Sequence, residues 1–334
     1  MKAILMEQAG SPEQLKLAEM AQPSIQQSDQ LLIKIRAAGV NPIDTKLRAN
    51  GTYYPDNLPA VLGCDGSGVV IETGSQVTRF KPGDEVYYFF GGIGGDEQGN
   101  YAEYNLIGEQ YVALKPDSIS FEEAAAAPLV LITAWEALYH RAKIQAGQTI
   151  LIHAGAGGVG HVAIQLAKAA NCRVLTTVSS DTKEALVRSL GADEVIRYDH
   201  SDFVQQTMAK TDGVGVDIVF DTVGGITFEA SFNALKPYGH LVTLLQPSHS
   251  VDWKVARLKN ITTSLELMLS PAFYNWQQAR LEQTNILNRC SRLFDSGQLR
   301  VIVNHKLPLE SAADTHRLIE NGSMEGKAVL IPQF

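Results

Sequence analysis

Two rhythms of apolar and polar residues divide the chain. From residue 149 onward, apolar runs of strand length alternate with stretches of helical spacing. Residues 149–153 form an apolar strand, after which Val159, Val162, Ala163, Leu166 and Ala170 recur at helical intervals. A second strand is predicted at 173–178. A helix follows at 182–190 and stops at Gly191, where a left-handed residue would end it. Further strands are expected at 194–198, 216–220 and 240–245, the last after the turn Pro237-Tyr238-Gly239. Strands separated by helices imply a parallel sheet covered on both faces.

The chain up to Pro116 reads differently. Short apolar runs at 30–35, 68–72, 86–90 and 111–114 are broken by Thr73-Gly74, Lys81-Pro82-Gly83-Asp84 and Lys115-Pro116. Many short strands with turn residues between them suggest a barrel or a sandwich. Residues 91–100 hold five glycines and are flexible by composition. A solvated loop is the first expectation for them and a lid over a site the second. Segment 122–127 favours helix, Pro128 interrupts it, and 132–140 resumes the helical pattern. A long helical stretch at 277–293 then precedes short strands at 301–305 and 328–331, which would complete the first domain. The expected division is 1–123 with 271–334, and 124–270.

Composition narrows the class. A chain of 334 residues exceeds one ordinary core, and 45% hydrophobic with 19% charged residues suits a folded globular protein. The formal net charge of −8 disfavours nucleic acid as the main partner. Cys64, Cys172 and Cys290 are the only cysteines and form no CxxC, so neither a disulfide framework nor a four-cysteine zinc site is available. The apolar start is too short for a signal segment, and no run of about 20 apolar residues predicts a membrane span. A cytoplasmic protein is the expectation.

The strongest chemical signal is Gly155-Ala156-Gly157-Gly158-Val159-Gly160, a G-x-G-x-x-G turn after a strand and opening a helix. Gly155 would make the tight turn, Gly157 would let a pyrophosphate approach the backbone, and Gly160 would let the helix pack on the strand. The helix N-terminus offers unpaired N–H groups to phosphate. The next strand ends Val178-Ser179-Ser180 with no acid at its tip, where NAD binders carry one for the ribose 2′-hydroxyl. Asp181 could be that acid, but with Glu184 it reads better as a capping box. Ser179, Ser180 and Lys183 suit a 2′-phosphate, although Lys183 also reads as a solvated helix lysine. The cofactor expected is NADP(H).

Further segments occur in a recognisable order: Ala37-Ala38-Gly39-Val40-Asn41-Pro42-Ile43-Asp44, Gly51-Thr52-Tyr53, Gly63-Cys64-Asp65-Gly66-Ser67-Gly68-Val69-Val70, Pro82-Gly83-Asp84-Glu85-Val86, the glycine turn, and Asp221-Thr222-Val223-Gly224. With them the chain resembles the zinc-free quinone oxidoreductase branch of the medium-chain dehydrogenase/reductase superfamily over nearly its whole length. The resemblance implies an α/β fold. A GroES-like β-barrel catalytic domain is built from both chain ends, a Rossmann doubly wound parallel sheet lies between them, and the cofactor cleft is at their junction. It also implies a homodimer, with a tetramer as the other common assembly. Zinc enzymes of the superfamily place Cys after Gly-Val and His in Gly-His-Glu, where this chain has Asn41 and Cys64. One thiolate is too few for a tetrahedral site, so no metal is expected and Cys64 reads as a small buried residue.

The chemistry implied is hydride transfer from NADPH to a quinone or an α,β-unsaturated carbonyl. The resemblance places Asn41 near the nicotinamide and ribose, Thr133 and Val223 beside the cofactor, and Tyr198 by the adenosine 2′-phosphate. Leu245 and Gln246 follow the fifth strand, where backbone contacts to nicotinamide are expected. Tyr53 is the candidate proton donor to the developing enolate. Tyr54 beside it leaves that choice open, a surface-loop role for Tyr53 stands next to it, and Thr133 also reads as a core threonine. Segment 251–273, with Trp253, Leu265, Met268 and Phe273, would line a substrate pocket or serve packing. Two other functions fit the same fold: an alcohol/aldehyde-type reductase, and a non-catalytic NADPH-binding protein of crystallin-like or RNA-binding kind.

Overall fold

The computed structural model describes residues 1–322 and 324–333. The chain opens with an antiparallel pair, β1 (Lys2–Met6) and β2 (Leu15–Glu19), followed by the long β3 (Gln30–Val40) and helix α1 (Pro42–Asn50). Strands β4 (Ala60–Val61), β5 (Asp65–Thr73), β6 (Glu85–Phe89), β7 (Tyr104–Gly108) and β8 (Ala113–Leu114) lead into helices α2 (Phe121–Ala126) and α3 (Pro128–Trp135). An alternation follows: β9 (Thr149–Ile152), α4 (Gly160–Ala169), β10 (Arg173–Val178), α5 (Asp181–Ser189), β11 (Glu194–Arg197), α6 (Phe203–Lys210), β12 (Val216–Asp221), α7 (Gly225–Ala234), β13 (Leu235–Thr243), α8 (Lys254–Leu258) and β14 (Thr262–Leu265). The chain closes with α9 (Ser270–Phe273), α10 (Gln277–Asp295), β15 (Val303–Pro308), α11 (Ala312–Glu320) and β16 (Lys327–Ile331).

These elements form two compact units, one of Met1–Leu129 with the chain from Leu269 on, the other Val130–Met268. In the first unit a seven-stranded sheet runs β15-β16-β3-β5-β6-β8, with β7 also on β3, and a second sheet runs β2-β1-β4. Leu31, Ile33, Val70, Val86, Tyr88 and Ile107 pack inside it. Strand β3 runs five residues past its expected end because Ala37, Ala38, Gly39 and Val40 are all buried, which erases the two-residue alternation. At Gly39 a Cβ would collide with the Ala125 carbonyl, so the alanine helix α2 lies directly on this strand. Helix α2 opens with a capping box. Ser120 Oγ accepts from Glu123 N–H at 3.2 Å, and Glu123 Oε2 accepts from Ser120 N–H at 2.8 Å. Pro128 does not merely interrupt that helix: it is the first residue of α3, where its missing N–H is no loss.

The segment 91–100 departs from the expectation of a solvated loop: most of it is buried. Gly91, Gly92, Gly94 and Gly95 take φ values of 68°, 76°, 86° and 79°, and a Cβ on Gly92 would run into the backbone of Gly63. Asn100 Nδ2 donates to the carbonyls of Gly63 and Phe90, both at 3.0 Å. The glycines therefore serve left-handed backbone and close approach, not freedom of movement.

The second unit is one parallel sheet in the order β11-β10-β9-β12-β13-β14, the doubly wound arrangement. Leu151, Leu175, Val219, Phe228, Phe232 and Leu241 fill its core. The sixth strand, β14, was not anticipated, because Thr262–Leu265 is a sheet edge with no fully buried residue and no apolar run. Helices α6 and α7 are also absent from the sequence expectation.

His153, just past β9, is buried between Thr177 Oγ1 (3.2 Å from Nδ1) and Ser231 Oγ (3.0 Å from Nε2). Burial pushes its imidazole down to about 4. The folded form therefore holds fewer protons than the unfolded chain between pH 6.5 and 4, and stability present above pH 6.5 is lost as pH falls through that window. His153→Gln should narrow the stability difference between pH 7 and pH 5 in urea denaturation; an unchanged difference would remove His153 as a cause.

Candidate functional site

The glycine turn follows β9, and β9 neighbours β12 where the strand order reverses. The structure reassigns the glycine roles. The left-handed residue is Ala154, with φ 50°, and Gly155 is needed because a Cβ there would clash with Thr176 Oγ1 on β10. A Cβ on Gly160 would collide with the Ala154 carbonyl, so this position does set the approach of α4. Gly157 differs: a Cβ would meet only the Ala154 oxygen, at 3.2 Å. Gly157, Gly158 and Val159 are half-buried, whereas Ala156 is buried. The turn thus presents a side with no Cβ on it just ahead of a helix N-terminus, a shape that fits a pyrophosphate.

At the carboxyl ends of β10 and β11, Lys183 Nζ donates to Ser179 Oγ at 3.3 Å. The cap of α5 is Ser180, whose Oγ accepts from Lys183 N–H at 3.2 Å. This corrects the capping box expected from Asp181. That residue is the first of the helix, is exposed, and pairs with Arg197. Arg197, the last residue of β11, also binds Asp199 at 2.7 Å and is only 18% exposed. Arg197 is not among the residues expected from sequence, although a basic residue at a strand end is a visible signal. Tyr198 beside it is exposed.

On the other side of the switch point, one buried carboxylate organises two strand ends. Asp221 Oδ1 accepts from the N–H groups of Val223 (3.0 Å) and Gly224 (2.9 Å), and its Oδ2 accepts from Thr243 Oγ1 at 2.8 Å. The Thr243 oxygen in turn accepts from Leu245 N–H at 3.2 Å. Val223 and Leu245 are thereby fixed together, with Gln246 exposed next in the chain. Thr133 is buried on α3. All of the expected cofactor residues except Asn41 belong to this unit.

Asn41 lies in the first unit, between β3 and α1, and is completely buried. Its Nδ2 donates to Asp65 Oδ2 at 2.9 Å, and its Oδ1 accepts from the ammonium of Lys327 on β16. The same ammonium donates to the Val40 carbonyl at 3.1 Å. Asn41 N–H donates to Asp44 Oδ2 at 2.9 Å, and Tyr101 Oη donates to that oxygen at 2.9 Å. Leu129 N–H donates to Asp65 Oδ1 at 2.9 Å. Burial pushes both carboxyl groups up, and Lys327 pulls both back. Asp44, Asp65, Tyr101 and Lys327 were not singled out from sequence, since their meeting brings together α1, β5, the segment before β7, and β16.

Tyr53 and Tyr54 are distinguished by their partners. Tyr54 Oη donates to the Phe273 carbonyl at 3.0 Å and is committed there. The Tyr53 ring lies 4.9 Å from that of Phe273, is 37% exposed, and its hydroxyl has no hydrogen bond among the described residues. Burial and the neighbouring Cys64 push the Tyr53 hydroxyl up, so it keeps its proton at neutral pH.

Comparison with known proteins gives two family models: the alcohol dehydrogenase GroES-like domain over residues 27–117 and the zinc-binding dehydrogenase over 190–330. The chain is 34% identical over 323 residues to the quinone oxidoreductase of Pseudomonas aeruginosa and 33% identical over 325 residues to quinone oxidoreductase 1 of Escherichia coli, with 97% of each chain covered. The chain belongs to the quinone oxidoreductases of the medium-chain dehydrogenase/reductase superfamily. Solved structures agree. The quinone oxidoreductase from Coxiella burnetii matches with a TM-score of 0.84 at 35% identity, covering 100% of this chain and 99% of that one. The Escherichia coli quinone oxidoreductase complexed with NADPH matches with a TM-score of 0.85 at 31% identity, covering 99% and 100%.

Membership among the quinone oxidoreductases makes the first unit GroES-like and raises the question of zinc, which one family description names. The residues here do not fit that ion. Among the described residues no group of three or more His, Cys, Asp or Glu is placed to hold a metal. The Asn41 carboxamide is engaged by Lys327 and Asp65, and burial together with Asp44 pushes the Cys64 thiol well up, disfavouring the thiolate that zinc requires.

The glycine contacts predict a split in stability. Gly160→Ala should destabilise by about 1–3 kcal/mol through overpacking, and Gly157→Ala by less than about 0.5 kcal/mol, measured by urea denaturation. Equal effects would contradict the assigned roles.

Proposed function

We propose that this quinone oxidoreductase reduces a quinone or an α,β-unsaturated carbonyl with NADPH and without a metal. The observation that carries the reading is the corner at the ends of β10 and β11. There the Lys183 ammonium stands with the hydroxyls of Ser179 and Ser180, and the carboxylates Asp181 and Asp199 are both paired with Arg197. A lysine ammonium beside two serine hydroxyls, with the nearby carboxylates already matched by an arginine, suits a 2′-phosphate dianion better than a bare ribose diol. The similar Escherichia coli enzyme solved with NADPH supports the same cofactor.

In this reading the turn 155–160 holds the pyrophosphate through backbone N–H groups, and Ser179, Ser180, Lys183 and Tyr198 hold the 2′-phosphate end. Thr133, Val223, Leu245 and Gln246 border the nicotinamide end, the last three on strand ends braced by Asp221. Bound NADPH supplies the hydride. Tyr53 supplies the proton that completes the two-electron reduction: its hydroxyl is neutral and unpartnered, and its partial exposure lets solvent return the proton. Asn41 offers its remaining amide N–H to the cofactor.

Protein dialysed against EDTA should oxidise NADPH with 1,2-naphthoquinone and use NADH at least about tenfold less well in kcat/KM, the scale of one lost charged contact. Abolished turnover after EDTA, or preference for NADH, would overturn the reading. Tyr53→Phe should lower kcat by about a hundredfold while leaving the NADPH Kd in place, a loss typical of a missing general acid; an unchanged kcat would remove Tyr53 from the mechanism.

A further inference from the structure

The Asn41 carboxamide is held between opposite charges. Its oxygen faces the Lys327 ammonium and its nitrogen faces the Asp65 carboxylate, and all three residues are 2% exposed or less. Turning the amide over would set its NH2 against the ammonium and its oxygen against the carboxylate, replacing two charge-assisted hydrogen bonds by two repulsive contacts. In a buried setting that penalty is large, because little water screens it. The orientation of this amide is therefore dictated by charge. One N–H of Asn41 remains as its uncommitted donor, in one fixed direction.

Beyond countering the buried carboxyl groups of Asp44 and Asp65, the Lys327 ammonium makes few direct contacts. The ammonium forms no ion pair within 4.0 Å among the described residues, and its direct hydrogen bonds there are to the Val40 carbonyl and to Asn41 Oδ1. A buried ammonium is unfavourable to keep and has to be matched by the surrounding groups. A leucine or methionine could fill a β16 position beside β3 without that burden.

We propose that Lys327 is a positioning residue: its ammonium, working against Asp65, locks the Asn41 carboxamide so that a single amide N–H is presented to the cofactor. This rests on the reading of Asn41 as a cofactor contact, and it adds the group that makes that contact directional. Asp65 is the second member of the device and anchors it to the backbone through Leu129 N–H.

The test is a double-mutant cycle on NADPH affinity, read by fluorescence titration, with melting temperature followed in parallel. Asn41→Ala and Lys327→Met should each weaken the NADPH Kd by about tenfold, the effect of one hydrogen bond, and the double variant should bind no more than about twofold worse than Asn41→Ala alone. Lys327→Arg, which keeps the charge, should recover most of the affinity. Losses that multiply in the double variant, or wild-type affinity in Lys327→Met, would overturn the proposal. If Lys327→Met does not fold, Asp65→Asn with Lys327→Met removes both charges and spares the fold an unmatched carboxylate. That pair should reproduce the affinity loss of Asn41→Ala, and wild-type affinity would again overturn the proposal. The outcome is separable from the proposed activity. Wild-type protein that binds NADPH but reduces no quinone leaves the cycle valid and the activity refuted, whereas Asn41→Ala that binds NADPH normally refutes the role of Lys327 and leaves quinone reduction standing.

Discussion

A lysine ammonium enclosed in the first unit has to be answered from within the protein, and the answer ties together segments far apart in the chain. Lys327 comes from β16 near the C-terminal end, Asn41 from the end of β3, and Asp65 from the start of β5. Losing one partner of such a set leaves a buried charge unmatched, a penalty of about 3–5 kcal/mol on the scale of a domain's whole stability. The returning C-terminal segment is thus held to the N-terminal strands by electrostatic need as well as by β pairing. The same set controls the direction of the one side chain in this unit that the family resemblance puts nearest the cofactor.

The second unit works by sterics more than by charge. Gly155 and Gly160 sit where any Cβ would strike Thr176 or the Ala154 carbonyl, so α4 and β10 come closer than side chains would permit. Across the switch point, Asp221 gathers two backbone N–H groups and one hydroxyl, fixing the ends of β12 and β13. Val223 and Leu245 at the carboxyl edge of this sheet are therefore held on braced strand ends. The loops themselves can be short.

The proposed metal-free chemistry rests on how the buried groups around Asn41 are arranged. Where a metal would draw ligands together, this chain places an amide between an ammonium and a carboxylate, and it keeps the nearby thiol protonated by burial. In the proposed mechanism the neutral Tyr53 hydroxyl is the acid.

The sequence alone determined what depends on local rules. The strand–helix alternation, the G-x-G-x-x-G turn and the acid-free tip at Val178-Ser179-Ser180 are written in neighbouring residues, because periodicity, positive φ and helix starts are short-range properties. Β3 beyond Ile35 and edge strand β14 were less legible, the first buried on both faces and the second on neither. Tertiary structure alone decided which glycine bears which contact, that 91–100 is packed and not solvated, that Ser180 caps α5, and that Arg197 pairs with Asp181 at the start of α5. It alone showed Lys327, Asn41 and Asp65 as one unit. Their separations of 286 and 24 residues carry no periodic signal, and a buried charge reveals its partner only once the chain has closed around it.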